Sequence, residues 1–423
     1  MHASALFSFL TLALVAFAEP IRIRDSQISF PVAKRVNSTV GAPGLALRDK
    51  QRAQFLKQRG KGQLRQASSV GNIPSTNQLF DYVVDVQIGT PPTSYSLLLD
   101  TASSNTWVTD VKFIESDSTV QSQDTVAVQY GGGAFMDGTE FNDKITITSA
   151  NVVFGQSIGV ATDSSGFDDV DGVLGLGPTG LTIGTLSPDD KQSIPTITDS
   201  LFQQASIPQN LVSISFEPTT SDGAVNGELT FGGTDSSKFT GAINFAQVPY
   251  FFIDIRRVKE PLTTTAPSNT FWGIDQQIRY GTSSTILAKT AGIIDTGTTL
   301  TLIATDALAA YTSATGAVLD NDVGLLKLSA SQFTNLKSLF FVINGVTFEF
   351  TANAQIWPRA LNNVIGGSAN DIFLVVSDIG SNSGSGLDFI NGLTWIERFY
   401  VALDTTNRKV GIANTPFTRA TTN

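Results

Sequence analysis

The sequence predicts an all-β, bilobal protein, two β lobes related by approximate two-fold symmetry and facing each other across a cleft. Three observations predict it. Short segments with strand-like alternation, such as LFDYVVDVQI, DKITITSANVVF, GELTFGG and LFFVINGVTFEF, are separated by Gly, Pro, Asn and Asp turns. Leu98-Leu99-Asp100-Thr101-Ala102-Ser103-Ser104 reappears as Ile293-Ile294-Asp295-Thr296-Gly297-Thr298-Thr299, and a weaker second pair follows each copy, Asp171 to Gly175 and Asp388 to Gly392. Finally, 423 residues are too many for one hydrophobic core.

The elements follow in order. Residues 1–18, MHASALFSFLTLALVAFA, form a short apolar run closing on the small-x-small pattern Ala16-Phe17-Ala18, which reads as a secretory signal peptide. Residues 19–68 form a basic leader. Of the chain's 27 basic and 37 acidic residues the leader holds eleven and three, so it carries +8 and the remainder −18. A basic leader on an acidic body docks electrostatically and lets go as carboxylates protonate, the behaviour of an acid-triggered propeptide. Within it ISFPVAKR (28–35) reads as a strand and LALRDKQRAQFLKQR (45–59) as a basic helix, followed by the Gly/Ser/Gln-rich GKGQLRQASSVGN, an exposed cleavage region. The leader also contains a glycosylation sequon, Asn37-Ser38-Thr39. The first lobe is expected over 69–245 and the second over 246–423, with short helices at PTITDSLFQQ near 195 and TDALAAYTSATG near 305.

Composition excludes several chemistries. The chain has no cysteine, so disulfides, thiol catalysis and zinc-thiolate sites are ruled out. Its one histidine, His2, departs with the signal peptide, which removes Ser-His-Asp mechanisms and imidazole metal ligation from the mature protein. Carboxylates remain as acid and base, and no metal or cofactor is expected. The two-fold repeat brings Asp100 and Asp295 together at the lobe interface. Two carboxylates a few ångströms apart cannot both ionise cheaply, so the pair keeps one proton over a broad acidic range. One can then take a proton from water while the other gives one to a carbonyl oxygen, which hydrolyses an amide without a covalent intermediate.

The neighbours suit that task. Thr101 and Thr296 are small and both donate and accept, fit to lock the two loops to each other. Ser103 and Thr298 can donate to the outer carboxylate oxygens. Gly297 lacks a Cβ and lets its peptide N–H approach closely. A carbohydrate-active protein could also use two carboxylates, but such chemistry needs no symmetric hydroxyl support.

At these residues the chain resembles the pepsin-like aspartic endopeptidases. The resemblance runs from Ser75 to the C-terminus and rests on STNQLFDYVV, GELTFGGTDSSKFTG, TAGIIDTGTTLTLIA, TANAQIWPR and GLDFINGLTWIERFY. It implies a bilobal pepsin-like fold with Asp100 and Asp295 as the dyad. It also implies a flap hairpin at VQYGGGAFMDGTEF, with Tyr130, Gly131 and Gly132 facing substrate and Trp107 beside the flap tyrosine. The leader then resembles an activation peptide, an intramolecular inhibitor in which a basic residue, expected to be a lysine, neutralises the dyad.

The chain departs from the family pattern in three places. Ala102 stands where the family has glycine. Gly132 and Ala134 replace flap hydroxyl residues, and Met136-Asp137 read as an added residue. VPYFFIDIRRVKE (248–260) reads as an insertion or a translated intron. Asn391 stands where many members have an apolar residue.

The expected function is a secreted, extracellular, acid-optimal aspartic endopeptidase made as a zymogen. Its expected partners are peptide or protein substrates, with the preference for bulky apolar residues that the resemblance implies, and its own propeptide. No nucleic acid is expected, no membrane after signal cleavage, and a monomer suffices because one chain supplies both halves of the site. The competing expectation, drawn from Ala102 and the altered flap, is a weak or inactive pepsin-fold protein that binds peptides or another protein.

Overall fold

The computed structural model describes residues 27–36, 44–62, 80–148, 151–221, 223–246 and 263–422. The signal peptide, the sequon, most of the cleavage region and the 248–260 segment lie outside the described residues.

Both leader elements form as the sequence predicts. β1 (Ile28–Val36) alternates with period two, Ile28, Phe30 and Val32 buried and Ser29, Pro31 and Arg35 exposed. It pairs antiparallel on one side with β2 (Phe80–Ile88), Ala33 facing Val83, and on the other with the strand Val225–Phe231, Ile28 facing Phe231. The leader strand therefore sits inside the larger sheet and covers two edges that would otherwise be unpaired. α1 (Gly44–Gly60) buries Leu45, Arg48, Asp49, Arg52, Ala53 and Leu56, one face at helical spacing. Three of those six are charged.

The repeat becomes topology in the lobes. β3 (Thr93–Asp100) runs into the first aspartate, β4 (Thr106–Thr109) leaves the turn after it, and the hairpin β5 (Val120–Gln129) and β6 (Phe135–Thr148) precedes β7 (Asn151–Ser165). β8 (Gly172–Gly175) then threads between β3, to which it is parallel, and β4, to which it is antiparallel. In the second lobe Ser284–Ile294 runs into Asp295. Phe389–Asn391 lies parallel to it and antiparallel to Thr301–Ile303, the same arrangement. The weaker repeat pair is therefore the central strand of each lobe. Its closing glycines follow from the crossing: a Cβ on Gly175 would lie 2.6 Å from the Ser104 Cα, and one on Gly392 would lie 2.2 Å from the Leu300 carbonyl oxygen.

Among the described residues the larger sheet has 14 strands, including the C-terminal hairpin Phe399–Asp404 and Lys409–Asn414, and the second sheet has 7. Both expected helices form. Ile197–Gln203 is closed by a Thr196/Asp199 capping box, and Thr305–Thr315 ends at Gly316 in the left-handed region. Among the described residues no helix is long and apolar enough to cross a membrane.

Candidate active site

Each aspartate stands at the end of a buried strand, and the following turn points two donors back at it. On the first side the Ala102 N–H donates to Asp100 Oδ1 at 2.9 Å and the Ser103 hydroxyl to Oδ2 at 2.7 Å. On the second the Gly297 N–H donates to Asp295 Oδ1 at 2.9 Å and the Thr298 hydroxyl to Oδ2 at 2.6 Å. Asp100 and Asp295 are 1% and 0% exposed, and these four donors help hold the buried carboxylates in place.

The two turns are cross-linked by the threonines. The Thr101 N–H donates to Thr296 Oγ1 and the Thr296 N–H to Thr101 Oγ1, both at 3.0 Å. Each hydroxyl in turn donates to a carbonyl of the opposite strand, Thr101 to Ile294 at 3.2 Å and Thr296 to Leu99 at 2.9 Å. Four reciprocal bonds fix the separation of the two aspartates, the locking role expected of these threonines.

Ala102 fits without strain. Among the described residues three non-glycine residues have positive φ, Ala205, Asn344 and Arg408, and Ala102 is not among them. Its N–H reaches Asp100 at the same 2.9 Å as that of Gly297 reaches Asp295, so the methyl group leaves the donor geometry unchanged. Asn391 is also accounted for: its side-chain amide exchanges hydrogen bonds with that of Gln276 at 3.0 and 3.2 Å, and its carbonyl accepts from the Asp295 N–H at 3.2 Å.

The hairpin β5–β6 closes through a 3₁₀ turn at Gly131–Gly133. Tyr130 at its base is buried, and the Trp107 indole N–H donates to its hydroxyl oxygen at 2.7 Å; both rings meet Phe167 edge-on. Burial, with Asp100 nearby, holds the Tyr130 phenol above its ordinary pKa. Met136 and Asp137 face Val128 and Ala127 in unbroken register, so they add no bulge to the hairpin. The irregularity lies instead against β7, between Asp137 and Gly138.

Arg52, which sequence reasoning did not single out, lies between the two aspartates. Its Nη2 donates to Asp100 Oδ1 at 2.8 Å and to Asp295 Oδ1 at 2.9 Å, and its Nε donates to Asp295 Oδ2 at 2.8 Å. The expected lysine is thus an arginine, whose planar fork spans both carboxylates where an ammonium would act as one point charge. The guanidinium favours Asp295 because Gly297 is bare: a Cβ there would stand 2.3 Å from Nη2. Gly131 makes room on the other side, since a Cβ on it would stand 2.2 Å from the Arg52 Cα. Burial works against a charged Asp295, but the Arg52 charge and hydrogen bonds outweigh it and hold the carboxyl below its ordinary pKa. One sequence signal for Arg52 existed, its place on the helical face with Leu45, Ala53 and Leu56.

Two carboxylates cross-braced in a cleft between β lobes define an aspartic-type hydrolase site. The model of the eukaryotic aspartyl protease family matches residues 81–415. Polyporopepsin from Irpex lacteus is 57% identical over 356 residues, covering 84% of this chain and all of the relative; rhizopuspepsin from Rhizopus chinensis is 27% identical over 403 residues, 89% of this chain and 94% of the relative. The crystal structure of an aspartic proteinase from Irpex lacteus superposes with a TM-score of 0.77 at 50% identity, covering 94% of this chain and all of that one. The chain belongs to the eukaryotic aspartyl protease family and is a pepsin-like aspartic endopeptidase.

Proposed function

We propose that the chain is a secreted aspartic endopeptidase kept latent by its own leader, residues 19–68, and that Asp100 and Asp295 activate the hydrolytic water once the leader leaves. The observation that carries this reading is Arg52: a leader residue, buried, donates to both carboxylates at 2.8–2.9 Å and occupies the place a water and a scissile bond would need. With Arg52 gone the pair shares one proton, so one carboxyl is the general base toward water and the other the general acid toward the peptide carbonyl. Ser103, Thr298, the Ala102 N–H and the Gly297 N–H position the pair. Tyr130, Gly131 and Gly132, backed by Trp107, cover substrate bound as an added strand.

Acidity opposes latency with a definite sign. The carboxyl of Asp295 is held below its ordinary pKa, so the leader's hold is full above that ordinary value and is lost as pH falls through the depressed one. An acid optimum, an extracellular site of action, bulky apolar residues beside the cleaved bond, lobes at 69–245 and 246–423, and a monomer complete the reading. The inactive binding-protein reading has lost its main motive, because Ala102 sits in relaxed backbone with its donor in place.

The decisive experiment is hydrolysis of an unfolded protein in acid by the full chain, by Asp100→Asn and by Asp295→Asn. Cleavage by the parent and none by either variant is the expected result. Undiminished turnover in either variant would remove the assignment.

A further inference from the structure

We propose that the cavity between the end of the leader helix and the body is a site for a doubly charged tetrahedral oxyanion, which bridges the two and strengthens latency. The inference rests on the latency reading above. The cavity measures about 230 Å³; Lys57, Lys61, Gln54 and Gln58 of the leader and Ser381 of the body wall it, over a floor that includes the buried Ile379 and Leu387. Donors dominate those walls. Lys57 Nζ donates to Ser381 Oγ at 2.9 Å, which leaves the hydroxyl hydrogen of Ser381 available to a second acceptor. The Gln54 amide nitrogen lies over Gly380, 3.0 Å from the place a Cβ there would take. Among the described residues neither Lys57 nor Lys61 forms an ion pair, whereas Lys34, Lys50 and Arg52 of the same leader all sit on carboxylates of the body.

The charges around the cavity favour an anion. Lys57 and Lys61 stand four positions apart at the end of α1, a spacing at which like charges repel. Burial and the Lys61 charge hold the Lys57 ammonium below its ordinary pKa, and Asp388 pulls the other way. The helix dipole accounts for a lysine in the last turn, but not for two ammoniums lining one cavity. The nearby carboxylates are engaged elsewhere. Asp378 accepts from Lys50 through Oδ2 and from the Thr305 hydroxyl and the Gly380 N–H through Oδ1. Asp388 is buried and accepts from the hydroxyls of Thr290 and Ser385 and the N–H groups of Gly384 and Ser385. Arg59 is also committed, to the Leu181 carbonyl at 2.7 Å.

Size and chemistry select the ligand. A water takes roughly 30 Å³, so the cavity has room for an oxyanion with part of its hydration. A tetrahedral oxyanion can accept from both ammoniums, the Ser381 hydroxyl and the Gln54 amide together, and charge-assisted bonds of this kind are roughly twice as strong as neutral ones. A halide has no such set of directed acceptors. The site needs ammoniums from the leader and a hydroxyl from the body, so it exists only while the leader is docked. An anion bound there stabilises the docked state by mass action.

The test follows conversion of the full chain on a gel at about pH 4, near the ordinary carboxylate pKa, in sodium sulfate and in sodium chloride of equal ionic strength. Sulfate keeps both charges there, and screening is matched between the salts. With sulfate at about ten times its Kd, measured by calorimetry on the precursor at neutral pH, conversion should be about tenfold slower than in chloride. Lys57→Gln combined with Lys61→Gln should remove the difference, and Ser381→Ala should reduce it. The general exclusion of sulfate from protein surfaces is common to parent and variants, so their comparison isolates the cavity. Equal conversion of the parent in the two salts would overturn the inference and leave latency standing. A sulfate effect undiminished in the double lysine variant would place the anion elsewhere and overturn it too. A precursor that cleaves added substrate at neutral pH with its leader attached overturns the latency reading, and this inference with it.

Discussion

At the residue scale the third position of the two turns differs by one methyl group, and that difference assigns separate tasks to Ala102 and Gly297. Both N–H groups reach their carboxylates at 2.9 Å, so the methyl is neutral for the carboxylate geometry. A Cβ on Gly297 would stand 2.3 Å from Arg52 Nη2, so this position has to stay bare while Arg52 is seated. Ala102→Gly should therefore change kcat/KM by less than about threefold while costing about 0.5–1 kcal/mol of stability through added backbone freedom; a large gain in turnover, read by acid hydrolysis of an unfolded protein, would contradict this. Arg52→Gln removes the charge that spans both carboxylates and should give a precursor that processes itself at higher pH than the parent, followed by gel mobility against pH. The carboxylates, their threonines and their hydroxyl donors were legible in the sequence because they are duplicated, and duplication is a pattern that one sequence displays. Arg52 and Asp49 occur once, and although the face shared with Leu45, Ala53 and Leu56 sets Arg52 apart from Lys50, Lys57 and Arg59, Arg48 lies on that face too, so the pattern does not say which arginine reaches the carboxylates. Only packing makes that distinction.

At the scale of elements the strands, the flap hairpin and both short helices were legible from alternation, glycines and caps. The insertion of β1 between β2 and Val225–Phe231 was not, because pairing between segments almost 200 residues apart leaves no local trace. The β6–β7 pair carries a titrating group unrelated to the site. Glu140 is buried, accepts from the Ser157 hydroxyl through Oε1, and leaves Oε2 with no partner. Burial pushes its carboxyl up to about 7 from an ordinary 4.5. A raised carboxyl pKa contributes stability that is full below the ordinary value and lost as pH rises through about 7. Glu140→Gln keeps the acceptor and removes the titration, so it should stabilise the fold by up to about 3 kcal/mol above pH 7 and by little near pH 4. Thermal unfolding of parent and variant at both pH values reads the difference, and an equal effect at the two would exclude Glu140 as its source.

At the scale of the whole molecule the leader attaches to the body at three separated places, and acid acts on two of them, the aspartate pair and the cleft rim, together. β1 completes the larger sheet and puts Lys34 on Glu397 at 2.5 Å, a buried pair to which Tyr82 also donates at 3.1 Å. α1 seats Arg52 on the aspartate pair, while Lys50 bonds Asp378 at 2.7 Å and Lys57 the Ser381 hydroxyl at 2.9 Å at the rim of the cleft. Asp378 is held below its ordinary pKa; burial works the other way, but the hydrogen bonds from Lys50 and Thr305 outweigh it. Asp295 is depressed in the same direction, so both contacts are at full strength above the ordinary carboxylate range and fail as pH falls through the lowered values. The contact at Asp378 is partly exposed and screened by salt, whereas Arg52 is buried, so the two respond differently to ionic strength. Raising the salt concentration at neutral pH should loosen the rim and leave Arg52 seated, giving no cleavage of added substrate. Lowering the pH at constant salt should release the leader, and with it the protein's first 65 to 70 residues on a gel. Full release by salt alone at neutral pH would place the hold of the leader at its surface contacts, and Arg52 would then be a passenger on the helix.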